Sequence, residues 1–552
     1  MIKKLCKVLP MLILAAMLIS ACGGGAPAST TAATTTAAPA DAAETTAQAA
    51  ETEAQATTAA AETEAATTEA AKSESAAPGA SSDLPFVNLT FYMMGEQQND
   101  EDVFYKTFDE WTLRDLNCKV NFKFANTWID YAAKYNLMLA ADDTIDMCYA
   151  ANWIDFYSYA KKDAFEDISD MLPKYCPEIW REYPREQFNG ATVNGKIYGV
   201  PQNWTNYHGT NFVYREDLRK KYNLPEMTLD YDVMEEYFKT VLENESFPFI
   251  LTYQYTSPEV MFQAHMTEYD GIDATALAMM AKRGTRETMY YFDDPGYLDF
   301  AYRMKKWCDL GFWSKSILST ADSTDHGDLF REERIFVALT SHLDRFDGIA
   351  EDAAKLQPDW EIGFIPYATL SGVFYHTRTA QDLTVIPTGS KNPERSLMVL
   401  DKLITDKDYY VLTQYGTEGL NYEIDSDGYI TYANIDTTVH NFNLNLWAMR
   451  NNDLALPVAR FWDRKGKYED VYFPKLVFDP YDGFAIDLTD VQAEHSALTQ
   501  VIKEYAEPIH FGVVADPAAA VETLRQKMKE AGSDKFKAEI DRQLNEYLDS
   551  RG

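Results

Sequence analysis

The most constraining stretch of the chain runs from Leu84 to Tyr149, where strand-like and helix-like patterns take turns. Leu84–Met93 and Lys119–Phe124 alternate apolar and polar residues, which predicts two strands. Apolar residues at helical spacing lie between them. A second helical face then precedes a short apolar strand at Ile145–Tyr149. Strands that alternate with helices over short connections predict an α/β fold with a parallel sheet and right-handed crossovers.

Polar and aromatic residues follow two of the predicted strands at the point where each strand ends. Glu96 and Gln97 follow the first strand, and Asn152 and Trp153 follow the third. Ligands of open α/β sheets bind beyond the carboxyl ends of the strands. The sequence therefore predicts these four residues as ligand contacts.

The start of the chain has the form of a bacterial secretory signal over residues 1–21. A basic segment precedes an apolar run, Val8–Ile19, and small residues then lead to Cys22. The run is shorter than the ~20 residues that a membrane-spanning helix needs. The surroundings of Cys22 resemble the lipobox of bacterial lipoproteins, which implies cleavage before Cys22 and attachment of a lipid such as palmitate to its thiol. An ordinary signal peptide and a short membrane anchor are the alternatives.

Residues 22–83 are predicted to form a disordered tether. From Ala26 to Ser82 the chain has no aromatic residue and no Leu, Ile or Val, while Ala, Thr, Glu, Ser and Pro dominate. Such a segment cannot bury enough apolar surface to offset the entropy lost on ordering. Leader and tether together predict a protein that a lipid holds at the cell membrane, on the extracellular face.

The remainder, residues 84–552, is predicted to be the folded body. Its roughly 470 residues exceed what one hydrophobic core usually supports, so two lobes are expected. The formal net charge of −36 disfavours nucleic acid as a partner, because phosphates bind Lys and Arg. No Cys/His spacing typical of a metal site occurs, and no cofactor is predicted. The folded body has four cysteines: Cys118, Cys148, Cys176 and Cys308. Four cysteines allow three disulfide pairings, and free buried thiols are the alternative.

The sequence carries no motif of a common catalytic centre. It lacks HExxH, GxSxG, a Gly-rich phosphate loop and the kinase motifs, so an enzyme is not predicted. A glycoside-active enzyme is kept as an alternative, because such enzymes need two facing carboxylates and acidic pairs such as Asp293 and Asp294 occur. Asp425–Gly428 lacks a complete twelve-residue calcium loop and is interpreted as a turn.

The mixture of aromatic and amide side chains instead indicates binding, in particular of sugars. Sugars present apolar C–H faces that lie against Trp and Tyr, while their hydroxyls need polar partners. The strongest candidates for such contacts are Asn152, Trp153, Trp204, Asn206 and Tyr207. Weaker candidates are Trp313 and Trp447. Core or interlobe packing is the alternative role for each of these aromatic residues.

The stretch Asn136–Asp143, followed by Ile145–Met147, resembles the hallmark of the family 1 extracellular solute-binding proteins, the lipoprotein receptors of ABC importers. Tyr415–Gly419 and Ala531–Lys535 resemble a large clostridial subset of the family, the aldouronate and oligosaccharide receptors with an added C-terminal region. The resemblance covers nearly all of Leu84–Leu548. Later stretches resemble the family in the expected order: Asn194–Pro201, Phe212–Leu218, Arg334–Leu339, Gly363–Pro366, Ser390–Arg395, Tyr415–Gly419 and Ala531–Lys535.

The resemblance implies an α/β, two-lobed periplasmic-binding-protein-like fold of type II, with a hinge and added C-terminal helices. Lobe one would comprise residues 84–200 with later returning segments, and lobe two residues 211–420. Helical spacing predicts three C-terminal helices within residues 491–548. The resemblance also places Ser341 and His342 at a ligand contact of lobe two.

These observations predict a monomeric extracellular receptor that captures a small-molecule solute, in particular an oligosaccharide, and delivers it to the permease subunits of an ABC importer. A ligand that contacts both lobes stabilises the closed state through its higher affinity for that state. A surface adhesion or sensor module is the alternative from another class. Within the receptor hypothesis, a peptide or a lipid-linked sugar is an alternative ligand.

Overall fold

In the computed structural model of the protein, the three strands predicted near the start of the chain pair in parallel, as expected. Strand β1 (Val87–Met94) lies between β2 (Cys118–Ala125) and β3 (Met147–Ala150). Alternate residues of β1 and β2 are buried, because successive side chains of a strand face opposite sides of the sheet. Helix α1 (Glu101–Leu116) joins the first two strands and ends at Asn117, whose left-handed backbone redirects the chain.

The structure describes residues 83–95, 98–125, 128–140, 145–250, 258–319, 329–330, 332–357, 359–442, 444, 447–459 and 464–551. Within these ranges, no helix has both the length and the apolar character that crossing a bilayer requires. The further described strands are β4 Thr192–Val193, β5 Lys196–Ile197, β6 Gly199–Pro201, β7 His208–Arg215, β8 Tyr269–Gly271, β9 Met279–Lys282, β10 Thr288–Tyr290, β11 Val337–His342, β12 Ile362–Pro366, β13 Phe374–Tyr375, β14 Leu383–Val385, β15 Glu423–Ile424, β16 Ile430–Thr431 and β17 Leu476–Val477.

Helices follow many of the strands and form the end of the described chain. After α1, the described helices are α2 Trp128–Ala140, α3 Phe156–Lys161, α4 Leu172–Tyr175, α5 Pro177–Glu182, α6 Glu216–Lys221, α7 Tyr231–Asn244, α8 Glu259–His265, α9 Tyr297–Asp309, α10 Leu343–Leu356, α11 Pro393–Thr405, α12 Lys407–Tyr415, α13 Asp470–Tyr472, α14 Gln492–Val501, α15 Glu507–His510, α16 Pro517–Glu530 and α17 Ser533–Arg551. Short 3-10 and π turns link some of these helices, among them the turn Asn152–Ile154 after β3.

Lobe one is built on a five-stranded sheet in the order β2-β1-β3-β14-β6. Strand β14 returns from late in the chain and runs antiparallel to both of its neighbours. Helix α11 packs in the core of this lobe, where Leu397 and Leu400 are fully buried and Asp401 accepts a hydrogen bond from the Ile179 amide (2.9 Å). The sequence placed residues 391–419 in lobe two instead. That placement differs because an amphipathic helix reveals which face is buried but not against which sheet.

Lobe two has a three-stranded antiparallel sheet with β7 at its centre, between β11 and β12. A second antiparallel sheet, in the order β10-β9-β8, lies in the same lobe. The C-terminal helices α14, α15, α16 and α17 share the core of this lobe. On α17, Phe536, Ile540 and Leu544 recur every four residues and are buried, as the sequence predicted.

Three chain segments cross between the lobes in the part of the chain that the structure describes. The first joins β6 to β7, the second joins β13 to β14, and the third follows Met449. The crossing segments also bond to one another, since Asn203 bridges to Asn451 and Tyr207 bridges to His376. This bonded set of crossing segments is the hinge.

The four cysteines of the folded body are buried free thiols: Cys118, Cys148, Cys176 and Cys308. Burial raises the pKa of the Cys148 thiol to about 12. The thiol is therefore protonated at neutral pH and behaves as a small apolar side chain.

Candidate functional site

A cleft of about 690 Å³ lies between the lobes at the hinge. One side is formed by the turn after β3 and by the crossing segments, and the other by α8 and the β8–β9 strands of lobe two. A groove of the same volume lies between lobe one and α17. The cleft is the candidate site, because it lies at the carboxyl end of β3, where ligands of α/β sheets bind.

Trp153 forms an exposed aromatic surface in the cleft. It lies in the 3-10 turn Asn152–Ile154 that β3 runs into, and it is 43% exposed although it is one of the largest side chains. Its indole Nε1 donates a hydrogen bond to the Gln381 carbonyl oxygen (3.0 Å), and its ring lies 6.1 Å from that of Tyr149. The hydrogen bond fixes the orientation of an indole that remains open to a ligand.

Tyr207 contributes a buried aromatic surface at the point where the first crossing segment enters lobe two. Its ring packs against Phe374 at 5.6 Å, and burial raises the pKa of its hydroxyl. Gly209 leaves room for this ring position, because a Cβ at that residue would lie 2.1 Å from the Tyr207 hydroxyl oxygen. The glycine thus allows the ring to occupy this place in the cleft lining.

Asp270 and Arg283 form an ion pair in the lobe-two side of the cleft. The guanidinium Nε and Nη2 atoms donate to the two carboxylate oxygens at 3.1 and 2.5 Å. Tyr375 also donates its hydroxyl to Asp270 (2.9 Å). The hydrogen bonds from Arg283 to Asp270 raise the pKa of the guanidinium further, so Arg283 stays charged at neutral pH.

Arg378 forms the second charged group of the cleft and comes from the crossing between β13 and β14. Its Nε donates to Asp479 (2.8 Å) and its Nη1 to Asp273 (3.4 Å), while Nη2 donates to the Ile272 carbonyl oxygen (2.5 Å). Burial acts to lower the pKa of Arg378, but the two carboxylates outweigh it and raise the pKa overall. The side chain links the hinge to the lobe-two side of the cleft.

Asp382 lies at the centre of a buried hydrogen-bond cluster in the hinge. It is 2% exposed and accepts from the Tyr149 hydroxyl (2.5 Å), Gln202 Nε2 (3.0 Å) and Arg450 Nη2 (2.8 Å). The Arg450 guanidinium also lies 3.7 Å from the ring centroid of Trp204. Lobe one, the first crossing and the third crossing are therefore joined through a single carboxylate.

The structure brings several of the predicted residues together and separates others. Asn152, Trp153 and Tyr207 line the cleft. Trp204 packs against Arg450 in the hinge, beside the cleft. Asn206 is fully buried, and its carbonyl accepts from the Thr377 amide (3.0 Å) in the next crossing segment. These two residues occupy the hinge.

The remaining predicted residues lie elsewhere. Trp313 is 1% exposed in the core of lobe two, where its indole donates to the Phe511 carbonyl oxygen (2.7 Å), so its placement favours packing over ligand contact. Trp447 is 39% exposed but is not among the residues that line the cleft. His342 pairs through its backbone with His208, a cleft residue. The described part of the chain excludes the side chains of four predicted contacts: Glu96, Gln97, Ser341 and His342.

Sequence reasoning missed the charged residues of the cleft. No short motif joins them, since 105 positions separate Asp273 from Arg378 in the chain. The only sequence signal was the position of Arg378 shortly before β14, which did not distinguish a hinge residue from a surface one. The missed residues are Asp270, Asp273, Arg283, Arg378, Gln381 and Asp479.

The profile of the bacterial extracellular solute-binding proteins matches residues 105–422, more than half of the chain. This chain belongs to that family. A domain of unknown function, DUF3502, matches residues 480–549 of this solute-binding protein, a segment that overlaps all four of the C-terminal helices described above.

Individual relatives match more than four fifths of the solute-binding protein. It is 22% identical over 481 residues to a carbohydrate ABC transporter substrate-binding protein of Streptococcus pneumoniae, which covers 85% of this chain and 92% of the relative. The N-glycan transport solute binding protein (NgtS) of Streptococcus pneumoniae matches its structure with a TM-score of 0.68 and 20% identity, over 84% of this chain and 100% of that chain. An HMO-binding, ABC-transporter-associated solute-binding protein of Bifidobacterium longum infantis gives a TM-score of 0.61 at 15% identity, over 84% and 99% of the two chains. The two-lobed type II fold expected from the sequence is thereby confirmed.

Proposed function

We propose that this solute-binding protein is the receptor of an ABC importer and that it captures an oligosaccharide in the cleft between its lobes. The observation that carries the proposal is Trp153, whose indole is fixed by the Gln381 carbonyl yet remains 43% exposed in the cleft. An apolar sugar face needs such a flat aromatic surface, and its hydroxyls need the polar groups that lie around it. The carbohydrate-related names of the relatives agree with this assignment.

The hinge supports a receptor that closes around its ligand. Cleft residues come from lobe one, from the crossing segments and from lobe two, so one ligand can contact parts that move relative to one another. A ligand with higher affinity for the closed form shifts the population towards that form. Transport of the released sugar, and the ATP consumed in it, belong to the permease complex.

A thermal-shift screen of residues 23–552 against oligosaccharides, peptides and vitamins tests the proposal. A ligand at a hundredfold excess over its Kd stabilises the folded state by about 2.7 kcal/mol. We expect an oligosaccharide to raise the midpoint and Trp153→Ala to weaken its binding by about tenfold or more. Trp447→Ala is the matched control, because it removes another exposed tryptophan from outside the cleft. Midpoint shifts with peptides alone would contradict the choice of ligand.

The same sugar separates the receptor from the alternative functions. Prolonged incubation should leave it intact, whereas a glycoside-active enzyme would release shorter products detectable by chromatography. A protein-binding adhesion or sensor module would not respond to any sugar in the screen.

We also propose that the protein acts as a monomer at the extracellular face of the membrane, held there by a lipid on Cys22. The leader pattern, the family and the polar tether support this localisation. In detergent phase partition of intact cells, the wild-type protein should enter the detergent phase and label with a palmitate analogue. Cys22→Ser should abolish the label and move the protein to the aqueous phase; unchanged partition would contradict the anchor.

A further inference from the structure

The fixed charges in the cleft are unequal in number. Among the described residues that line it, the carboxylates are Asp270, Asp273 and Asp479, whereas the guanidinium groups are Arg283 and Arg378. The described lining thus carries one more fixed negative charge than positive. An excess of negative charge repels anionic ligands, so this balance matters for which sugars bind, given that the cleft binds sugars as proposed above.

Both guanidinium groups already donate hydrogen bonds to the protein from all three of their nitrogen atoms. Arg283 donates from Nε and Nη2 to Asp270 and from Nη1 to the Thr267 carbonyl oxygen (3.0 Å). Each nitrogen of the group therefore has a protein acceptor. A ligand carboxylate that binds the Nε–Nη2 edge of Arg283 in the bidentate manner would have to displace Asp270 from that edge.

Arg378 is engaged in the same way from three directions. Its Nε, Nη1 and Nη2 donate to Asp479, Asp273 and the Ile272 carbonyl oxygen, and the side chain is only 19% exposed. An anionic ligand that approaches this arginine meets the two carboxylates as well. Like charges within a few ångströms repel, and the repulsion is stronger where protein rather than water surrounds them.

Two further basic side chains, one in the adjacent hinge and one in the described cleft lining, are held against other groups of the protein. Arg450 in the adjacent hinge is bonded to Asp382 and lies over Trp204. His376 packs its ring on Phe478 at 4.9 Å, and burial lowers the pKa of its imidazole, so it is neutral at pH 7.

We infer that the cleft selects neutral oligosaccharides and excludes uronates, sialylated glycans and other anionic sugars, and that Asp479 is a determinant of this selectivity. The inference rests on the proposed function and narrows its ligand class. The sequence resemblance named both aldouronates, which carry a carboxylate, and oligosaccharides as ligands. The inference favours neutral oligosaccharides over aldouronates.

Matched pairs of sugars test the selectivity. Calorimetric titration of residues 23–552 compares a desialylated N-glycan with its sialylated form, and xylotetraose with a glucuronic-acid-substituted xylo-oligosaccharide. We expect a neutral member to bind and its acidic counterpart to bind about tenfold more weakly or worse. Equal or tighter binding of an acidic member overturns the inference but leaves the receptor function intact. Absence of binding by every sugar overturns both.

Substitution of Asp479 tests its role in selectivity. Asp479→Asn keeps the shape of the side chain and removes one negative charge next to Arg378. We expect the affinity for the acidic member relative to the neutral member to rise about fivefold over the wild-type ratio. Asp299→Asn, which removes the same charge from the exposed face of α9, is the control and should leave this ratio unchanged. Equal affinity changes in the two variants would refute a local role for Asp479.

Discussion

Asp382→Ala is expected to destabilise the protein by removing the centre of the hinge cluster. The buried carboxylate accepts three side-chain hydrogen bonds, from Tyr149, Gln202 and Arg450. Removal of one member of a buried ion pair costs about 3–5 kcal/mol, because the remaining charge is left without a partner. The Arg450 side chain is 26% exposed and regains some hydration, so we expect the lower end, about 3 kcal/mol.

Urea denaturation, followed by tryptophan fluorescence, measures this loss as a lower midpoint at unchanged slope. Asp453→Ala is the matched control, since Asp453 is an exposed residue of the same hinge, and its carboxylate accepts one side-chain hydrogen bond, from Asn203 Nδ2 at 3.3 Å. It should cost less than about 1 kcal/mol. A loss in Asp382→Ala no larger than in the control would refute the argument that this carboxylate holds the hinge together.

Two further predictions concern the cleft and the pH dependence of stability. Gly209→Ala should displace the Tyr207 ring, because the new Cβ would lie 2.1 Å from its hydroxyl oxygen; oligosaccharide affinity measured by calorimetry should fall about fivefold or more, and wild-type affinity would contradict this. Burial raises the pKa of Asp482 to about 6, although Thr379 donates to its carboxylate. A raised pKa in the folded state stabilises the protein at low pH, and this contribution is lost as the pH rises from about 4 through about 6. Relative to Asp482→Asn, wild type should therefore lose about 2.4 kcal/mol of unfolding free energy between pH 4 and pH 7, and parallel pH profiles in calorimetric unfolding would count against the shift.

Local periodicity was sufficient to predict the strands and helices that bury a regular face. Leu89, Phe91 and Met93 alternate along β1, and Phe536, Ile540 and Leu544 recur along α17; both sets are buried. Such patterns depend only on the geometry of one element. The position of Trp153 was predictable for a related reason, since the end of a predicted parallel strand marks a ligand-binding edge.

Contacts between distant segments could not be predicted in this way. The Arg378–Asp479 and Tyr149–Asp382 bonds join residues that are 101 and 233 positions apart. Their partners are set by how the crossing segments meet, which no single stretch of sequence encodes. For the same reason the sequence assigned α11 to lobe two, although its apolar face packs in lobe one.

Small-angle X-ray scattering on residues 23–552, with and without a saturating neutral oligosaccharide from the thermal screen, tests the central claim most directly. If the sugar is captured between the lobes, the radius of gyration should decrease on binding. Trp153→Ala should require a higher sugar concentration for the same decrease. An unchanged radius of gyration at saturation would contradict capture by closure of the two lobes.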